Sequence, residues 1–462
     1  MFIGREKELK ELNSLYDSDQ FEFVVLYGRR RVGKTALISR FLEQKNAIYF
    51  MGIESNAKQN LENLTQSIFQ TGSDSFPLSF LNFQAALEYV FKRAEKERLI
   101  LAIDEYPYVA KSDKSLASTL QMLIDQYKSS TKLMLILCGS SMAYMQDEVL
   151  AYKAPLFGRR TAQMRIDPFD FEDASKFLSS FNKVDQVMLY GMVGGTPQYL
   201  QQINNKLSVE ENIKRTFLNP ASSFFDEPEN LLKQEVRDVS TYNAILMVIA
   251  SGASRMSEIS SKVGESSAIC SSYLNNLIGL GLIKKEVPFG QKESGRKTLY
   301  SIHDPMFRFW FRFIAPNRSL IERRVTNIAY DRIAQHLDEY MGPVFEEICK
   351  QYLWKALLKG SSEVAFSDLQ RWWGTDSKTK ESVEVDIVGA ESEHKGLLAE
   401  CKWRNERIDR GVLNHLIAKK NFFSFTETIF YLFSKNGFTE QCIEEAKRRN
   451  DVVLVQYSDM FK

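Results

Sequence analysis

The stretch FVVLYGRRRVGKTALISRF, residues 23–41, constrains the fold more than any other part of the chain. Its first five residues are a β-branched and aromatic run typical of a buried parallel strand, and its last part has apolar residues at helical spacing. The residues between fit G-x-x-x-x-G-K-[ST], the P-loop pattern, in which glycines let backbone N–H groups surround phosphate oxygens at a helix N-terminus. The pattern comprises Gly28, Arg29, Arg30, Arg31, Val32, Gly33, Lys34 and Thr35.

Two residues of this pattern have distinct expected roles. Lys34 should reach the β- and γ-phosphates of ATP, and Thr35 should bind Mg²⁺. The three consecutive arginines leave three interpretations open: a solvated loop, an electrostatic aid beside the phosphates, or a contact to a neighbouring subunit. The pattern therefore predicts an ATP and Mg²⁺ site at a strand-to-helix turn.

Two further apolar runs end in polar residues. In RLILAIDEYPYV, residues 98–109, the apolar run is followed by Asp104, which would hold Mg²⁺ directly or through water, and by Glu105, which would polarise the attacking water. A strand that merely ends in charges is the alternative, and the upstream P-loop disfavours it. KLMLILCGSS, residues 132–141, includes Ser140, which would contact the γ-phosphate or the water unless the segment is a plain turn.

Length and composition limit the class of protein. A chain of 462 residues holds roughly three domains at about 150 residues each. With 44% hydrophobic and 26% charged residues and no long uncharged apolar run, we expect no membrane span. The N-terminus lacks the order of a signal peptide, so we expect a cytoplasmic protein with reduced cysteines. A net charge of +1 argues against histone-like binding of nucleic acid.

These motifs resemble those of the archaeal-type AAA+/STAND ATPase family, whose members begin with F-x-G-R-E-x-E-L. The chain reads FIGREKEL at residues 2–9, and the resemblance implies a role for this box near the adenine and ribose. PLFGRRTAQMRIDPF and YGMVGGTPQYL are also similar. The first implies an arginine finger at Arg159 or Arg160, although paired arginines are often surface charge, and the second implies a helical lid. A finger supplied in trans would require a homo-oligomer.

Residues 240–302 follow the order of a winged helix-turn-helix, with three helical runs and then two strand-like runs around the turn GQKESG. The third helix carries no arginine or lysine, which leaves both DNA binding and protein docking open. The aromatic segment at residues 304–314 could stack on bases, but a core-forming helix is favoured. Residues that would contact DNA are Ser266, Ser267, Ser271 and Ser272 on the third helix and Lys285, Lys292, Arg296 and Lys297 on the hairpin.

The C-terminal third contains VEVDIVG and LLAECKW. Asp386 lies on the first strand, while Glu400 and Lys402 share one face of the second. Two carboxylates and a lysine can hold Mg²⁺ and activate water against a phosphodiester, and a preceding helix offers Glu346 or Glu347. The arrangement resembles the PD-(D/E)xK nuclease fold and, after RWWG, the C-terminal domain that accompanies archaeal-type ATPases. A retained scaffold without cleavage is the alternative.

The sequence thus predicts an α/β multidomain protein that couples ATP binding and hydrolysis to DNA binding and metal-dependent DNA cleavage. A STAND-type signalling ATPase with a non-cleaving nuclease-like scaffold is the alternative, and a regulator without hydrolysis is disfavoured by the complete P-loop and carboxylate set. The predicted domains are a P-loop ATPase core with a parallel sheet at 1–165, a helical lid and linker at 166–235, a winged helix-turn-helix at 236–315 and a restriction-endonuclease-like α/β domain at 316–462.

Overall fold

The computed structural model describes residues 2–70, 79–292 and 297–461. The chain divides into two compact units: the first is Met1–Phe169 with Thr196–Tyr199, and the second is Asp170–Gly195 with Leu200–Lys462. Within the described residues, no helix is both long and apolar enough to cross a membrane. All five cysteines are free.

The first unit is built on a five-stranded sheet in which every strand runs parallel to its neighbours. Its strands are β1 (Glu22–Tyr27), β2 (Ala47–Met51), β3 (Leu99–Asp104), β4 (Leu133–Gly139) and β5 (Ala162–Arg165). They are ordered β2-β3-β4-β1-β5. The helices are α1 (Glu6–Asp17), α2 (Lys34–Leu42), α3 (Ala57–Gln70), α4 (Phe83–Arg93), α5 (Tyr106–Ser112), α6 (Leu116–Tyr127) and α7 (Met142–Tyr144), followed by a π-helical turn at Met145–Leu150.

Both faces of this sheet are buried, which explains the nearly continuous apolar runs of its strands. On β1, Phe23 and Val25 point into one core cluster, while Val24 and Leu26 point into the other and pack with Leu37 of α2. Successive side chains of a strand point to opposite faces, so one strand contributes to two cores. Because β3, β4 and β1 are parallel neighbours, their carboxyl ends meet at one edge of the sheet.

The second unit begins with helices whose starts are encoded locally. The Asn182 side chain accepts a hydrogen bond from the Asp185 N–H, and Ser208 and Glu211 form a reciprocal capping box. The helices between residues 170 and 236 are α8 (Phe171–Phe177), α9 (Lys183–Val193), α10 (Pro197–Leu200), α11 (Val209–Thr216) and α12 (Glu227–Glu235), of which α10 lies almost entirely in the first unit.

Three helices and an antiparallel hairpin follow, in the order expected from the sequence. They are α13 (Val239–Ala250), α14 (Met256–Val263), α15 (Ser267–Gly279), β6 (Ile283–Glu286) and β7 (Leu299–Ile302). Arg296 and part of the turn between the strands lie outside the described residues. The Phe289 N–H donates to the Arg371 carbonyl oxygen at 2.9 Å, and its ring centroid lies 6.1 Å from that of Phe425. The base of the hairpin loop thus packs on the C-terminal region.

The aromatic segment that follows is part of the core. Phe307, Phe309 and Phe313 are buried, as is Trp310, whose indole N–H donates to the Phe225 carbonyl oxygen at 2.8 Å. These rings are therefore not placed to stack on bases. The segment forms α16 (Pro305–Phe309), a π-helical turn at Trp310–Ile314 and a 3₁₀ turn at Ala315–Asn317, and leads to α17 (Arg318–Glu322) and α18 (Thr326–Leu358).

The C-terminal region is a mixed five-stranded sheet ordered β12-β11-β10-β9-β8. The strands β8, β9 and β10 form an antiparallel meander, and β11 and β12 run in the same direction as β10. Ring contacts between Phe345 and Trp403 and between Tyr352 and Phe433 pack α18 on the sheet. The elements are β8 (Gln370–Thr375), β9 (Ser382–Ala390), β10 (Lys395–Lys402), α19 (Arg410–Ala418), a 3₁₀ turn at Lys419–Phe422, β11 (Glu427–Ser434), α20 (Glu440–Lys447), β12 (Val452–Gln456) and a 3₁₀ turn at Tyr457–Asp459.

Candidate nucleotide site and candidate metal site

The two glycines of the P-loop pattern are required for different reasons. A Cβ atom at Gly28 would lie 2.2 Å from the carbonyl oxygen of Ile166, so the neighbouring strand excludes any side chain. Gly33 has a φ of 92° at the position before α2, in the region that favours glycine. The loop conformation therefore requires glycine at both positions.

Lys34 is buried, with 6% of its surface exposed. Its ammonium donates to the carbonyl oxygens of Gly28 at 2.8 Å and Arg29 at 2.9 Å. Burial lowers the pKa of Lys34, and the nearby carboxyls of Glu105 and Asp104 act in the opposite direction. The lysine thus lies inside the loop with its charge held by backbone oxygens.

Asp104 is bonded to one side chain from β2 and one from the start of α2. It is 1% exposed, and its Oδ2 accepts hydrogen bonds from the Thr35 hydroxyl at 2.7 Å and the Tyr49 hydroxyl at 3.0 Å. The Glu105 N–H donates to Oδ1 at 2.9 Å. The predicted partners Thr35 and Asp104 are adjacent, and Tyr49 is a contact that sequence reasoning missed.

Glu105 lies against Ser140, the predicted sensor position on the next strand. The Ser140 hydroxyl is 2.8 Å from each carboxylate oxygen of Glu105. Glu105 itself has a φ of 50°, a left-handed conformation that is uncommon for a residue with a side chain. The turn at the end of β3 therefore directs this carboxylate toward the end of β4.

Of the three loop arginines, Arg29 is buried, while Arg30 and Arg31 are half-buried. A nitrogen of Arg30 donates to the Tyr108 hydroxyl at 3.2 Å, and the guanidinium of Arg31 lies 5.9 Å from the ring centroid of Tyr199. The side chain of Val32 is fully buried in the core. Val32 can offer only backbone groups to a ligand.

The box at residues 2–9 contacts the P-loop through the side chain of Arg5. Its guanidinium donates to the carbonyl oxygens of Val32 at 2.9 Å and Asp167 at 2.6 Å and lies 4.3 Å from the ring centroid of Phe169. A single buried arginine thus joins the N-terminal box, the P-loop and the segment after β5.

The GGTPQYL segment also reaches the P-loop. Thr196–Tyr199 belong to the first unit, and a Cβ atom at Gly33 would lie 3.6 Å from the Pro197 side chain. Thr196 and Tyr199 are buried. Part of the expected lid segment therefore belongs to the surroundings of the loop.

Arg159 and Arg160 lie at the opposite edge of the sheet from the P-loop. They precede β5, whose Ala162 pairs with Val24 of β1, whereas the loop follows the other end of β1. Six residues of strand span roughly 20 Å at about 3.3 Å per residue. Arg159 pairs with Asp125 at 2.7 Å, and Arg160 donates to the Leu150 carbonyl oxygen at 3.4 Å. Neither arginine therefore lies where an arginine finger for the P-loop of the same chain would have to be.

In the C-terminal sheet, Asp386 and Glu400 are cross-strand neighbours, because Ile387 pairs with Ala399 in the antiparallel register. Their exposed fractions are 9% and 8%. The Cys401 N–H donates to Oδ2 of Asp386 at 2.7 Å. The two predicted carboxylates therefore lie together on one face of β9 and β10.

Glu400 carries a lysine on each oxygen. The Lys402 ammonium is 2.5 Å from Oε1, and the Lys419 ammonium is 2.6 Å from Oε2. Burial acts to raise the pKa of Glu400, but the charges of these two lysines outweigh it and hold the pKa below its usual value. Lys402 was predicted, whereas Lys419 was not.

Asp386 has the opposite electrostatic environment. Burial, then the charges of Glu400 and Glu346, raise its pKa from 3.8 to about 7. Burial also raises the pKa of Glu346, despite the nearby guanidinium of Arg371. Repulsion among these carboxyls is a property expected of a site that takes up a cation.

The number of carboxylates near β9 and β10 limits how they could bind Mg²⁺. In the described part of the chain, no group of three or more His, Cys, Asp or Glu side chains is arranged to hold a metal ion, so Glu346, Asp386 and Glu400 do not form a ready-made set of three ligands. Mg²⁺ commonly uses one or two carboxylates and keeps several waters. Asp386 and Glu400 satisfy that requirement.

A cavity of about 370 Å³ opens beside Glu400. Its charged lining comes mostly from the region around α19, which carries no recognisable motif in the sequence. The lining residues are Glu400, Lys402, Asp409, Gly411, Val412, His415, Leu416 and Lys419.

Known proteins match both regions of the chain. Residues 2–203 match a family described as an ATPase domain predominantly from Archaea, and residues 310–413 match a family described as Archaea bacterial proteins of unknown function. An uncharacterized protein of Methanocaldococcus jannaschii is 31% identical over 89% of both chains. The chain belongs to this archaeal ATPase family.

Two other proteins are similar to this archaeal-type ATPase. An uncharacterized ATP-binding protein of M. jannaschii is 49% identical over 45 residues, which cover 10% of this chain and 76% of the relative. The Walker-type ATPase PABY2304 of Pyrococcus abyssi has a TM-score of 0.51 at 20% identity and covers 67% of this chain and 96% of its own. The second likeness concerns the fold alone.

Proposed function

We propose that this ATPase binds and hydrolyses ATP with Mg²⁺ and that its nucleotide state controls a metal-dependent DNA nuclease in the C-terminal sheet. The hydrolysis proposal rests on one observation: Lys34, Thr35, Asp104 and Glu105 lie at a single edge of the parallel sheet, with the hydroxyl of Thr35 2.7 Å from Asp104. Phosphate transfer needs little covalent help from protein and depends on positioning and charge, which this set supplies.

Each residue has a role in this proposal. The P-loop N–H groups and Lys34 would bind phosphate oxygens, which replace the carbonyl partners of the ammonium. Thr35 and Asp104 would hold Mg²⁺, whose charge neutralises the phosphates. Glu105 would orient and polarise the attacking water, and Ser140, 2.8 Å from both of its oxygens, would position that carboxylate.

The nuclease proposal rests on the shared buried face of Asp386, Glu400 and Lys402. Asp386 and Glu400 would hold Mg²⁺, which activates water and neutralises the scissile phosphate. Lys402 would help position or deprotonate the water. The test is incubation of the full chain with plasmid and linear DNA, with and without ATP and with Mg²⁺ or Mn²⁺, beside Asp386→Ala. Metal-dependent nicking that the variant lacks supports the proposal, and its absence in wild type refutes it.

A signalling ATPase without cleavage is the second candidate, and two observations favour it. Glu400 already has both oxygens paired with lysines, and the base of the proposed wing packs on the C-terminal sheet through Phe289. In this case the winged helix would serve as a docking element. Its exposed surface for DNA would then be the serines at the start of α15 and the hairpin residues Lys285, Lys292 and Lys297.

The position of Arg159 allows a finger only for a neighbouring subunit. We expect ATP turnover per subunit to rise with protein concentration, and Arg159→Ala to bind ATP normally but to turn it over roughly 10³-fold more slowly, as for other fingers. The same measurement on Arg160→Ala separates the two arginines. A rate per subunit that does not change with concentration, in a protein monomeric by sedimentation, would contradict the role in trans.

Tyr49 should position Asp104. Removing its hydroxyl in Tyr49→Phe deletes a hydrogen bond to a carboxylate, which is worth about 1.5–3 kcal/mol. We therefore expect ATP turnover to fall by about tenfold or more with ATP affinity nearly unchanged. Tyr89→Phe is the matched control, because the Tyr89 ring packs on Phe69 and Phe80 in the same unit. Equal turnover in Tyr49→Phe and wild type would leave Tyr49 a purely structural residue.

A further inference from the structure

Lys419 forms an ion pair with one oxygen of Glu400, a proposed metal ligand of the nuclease site. Its ammonium is 2.6 Å from Oε2 of Glu400, and the side chain is only 13% exposed. Lys402 occupies Oε1. Two ammonium groups therefore face one carboxylate, and this trio carries one formal positive charge in excess.

The excess charge lies beside open space. Lys402, Lys419 and His415 line the cavity of about 370 Å³ together with Glu400 and Asp409. Residues four apart share a helix face, and Lys419 continues α19 with helical backbone angles. His415 and Lys419 thus face the cavity from one side. The Asp409 carboxylate is engaged at the helix start, where it accepts from the Val412 N–H at 3.1 Å.

We propose that Lys419, with His415, forms a phosphate-binding subsite that holds the phosphodiester backbone of a DNA strand beside the proposed cleavage site. This inference rests on the proposed nuclease function. Glu400 can satisfy its charge with the two lysines or with a divalent cation. In the second case the nearly buried ammonium of Lys419 needs another anion, because an unpaired buried charge is costly. A backbone phosphate in the cavity supplies that anion.

Lys420 provides a matched control on the neighbouring residue. Its ammonium donates to the Thr426 carbonyl oxygen at 2.9 Å, and Lys420 is not among the residues that line the cavity. Removing it changes the net charge of the protein by the same amount as removing Lys419. Any effect specific to Lys419→Ala therefore arises from its position.

The test uses the full chain without nucleotide, as wild type, Lys419→Ala and Lys420→Ala. Binding of a fluorescein-labelled 30-base-pair DNA is followed by anisotropy in Ca²⁺ over a range of salt concentrations. Mn²⁺ binding is followed by calorimetry, with Asp386→Asn identifying the heat of the C-terminal site. We expect Lys419→Ala to bind Mn²⁺ at least as tightly as wild type and to reduce the slope of log affinity against log salt by about one, as for one lost phosphate contact. Lys420→Ala should match wild type.

An unchanged salt slope and unchanged cleavage in Lys419→Ala would overturn the subsite while leaving the nuclease standing. A reduced slope with no cleavage by wild type would support the subsite and refute the nuclease. Loss of Mn²⁺ binding in Lys419→Ala would show that the lysine only maintains the carboxylate, which also overturns the subsite. Lys419→Gln replaces the alanine variant if that variant does not fold, and Lys419→Arg should restore the slope.

Discussion

Lys34→Ala is expected to abolish ATP binding, whereas Glu105→Gln is expected to keep binding and stop turnover. The ammonium of Lys34 lies inside the loop, 2.8 Å from the Gly28 carbonyl oxygen, where the phosphates would have to be held. Glu105 lies at the end of β3 and would act only on the water. Since a general base contributes about 10²- to 10⁴-fold to the rate, ATP turnover by Glu105→Gln should be lower than that of wild type by a factor in this range.

ATP affinity by calorimetry and phosphate release under saturating ATP would measure the two effects separately. Glu95→Gln is a suitable control, because Glu95 is an exposed residue of the same unit that accepts from Ser130 at 2.7 Å. Equal turnover by wild type and Glu105→Gln would remove Glu105 from the mechanism. Normal ATP binding by Lys34→Ala would contradict the role of the loop lysine.

Asp386→Asn is expected to abolish both DNA cleavage and the response of the second unit to divalent metal. In the wild type, Mg²⁺ or Mn²⁺ should relieve the repulsion between Asp386 and Glu400 and so raise the melting temperature with metal concentration, as linkage requires. The asparagine variant lacks one of the two ligands and should show neither effect. A wild-type protein without any metal-dependent shift in melting, in the absence of nucleotide, would contradict the metal site.

The same substitution should change how stability depends on pH. The pKa of Asp386 is raised from 3.8 to about 7 in the folded protein, so the folded state binds the proton more tightly than the unfolded state. The contribution is complete below pH 3.8 and is lost as the pH rises to about 7. One pKa unit corresponds to about 1.4 kcal/mol, so the expected loss is several kcal/mol.

In the presence of a chelator, Asp386→Asn should therefore flatten the free energy of unfolding between pH 4 and 7 and stabilise the metal-free protein at pH 8. Denaturant unfolding at several pH values measures this. Asp409→Asn is a useful contrast, because Asp409 lines the cavity beside Glu400 but its carboxylate caps α19. A pH profile of Asp386→Asn identical to that of wild type would contradict the electrostatic account.

The nucleotide site could be predicted from the sequence largely because its parts are contiguous. The P-loop lies between one strand and one helix, and the pairing of Thr35 with Asp104 follows from the rule that parallel strands end at one edge. Tyr49 was not predictable, because its contact depends on β2 lying next to β3. Lys419 was missed for a similar reason: it is 19 residues from Glu400, and its helix carries no motif.

The sequence by itself determined the local chemistry: a P-loop pattern, one strand followed by two carboxylates and another by serines, and a pair of acidic residues on neighbouring strands. Only the tertiary structure decided what these groups meet. It placed Arg159 at the edge of the sheet away from the P-loop, packed the hairpin against the C-terminal sheet through Phe289, and set Lys419 on Glu400. The physical reason is that backbone spacing and side-chain type act over a few residues, whereas strand order and helix docking depend on burial over the whole unit.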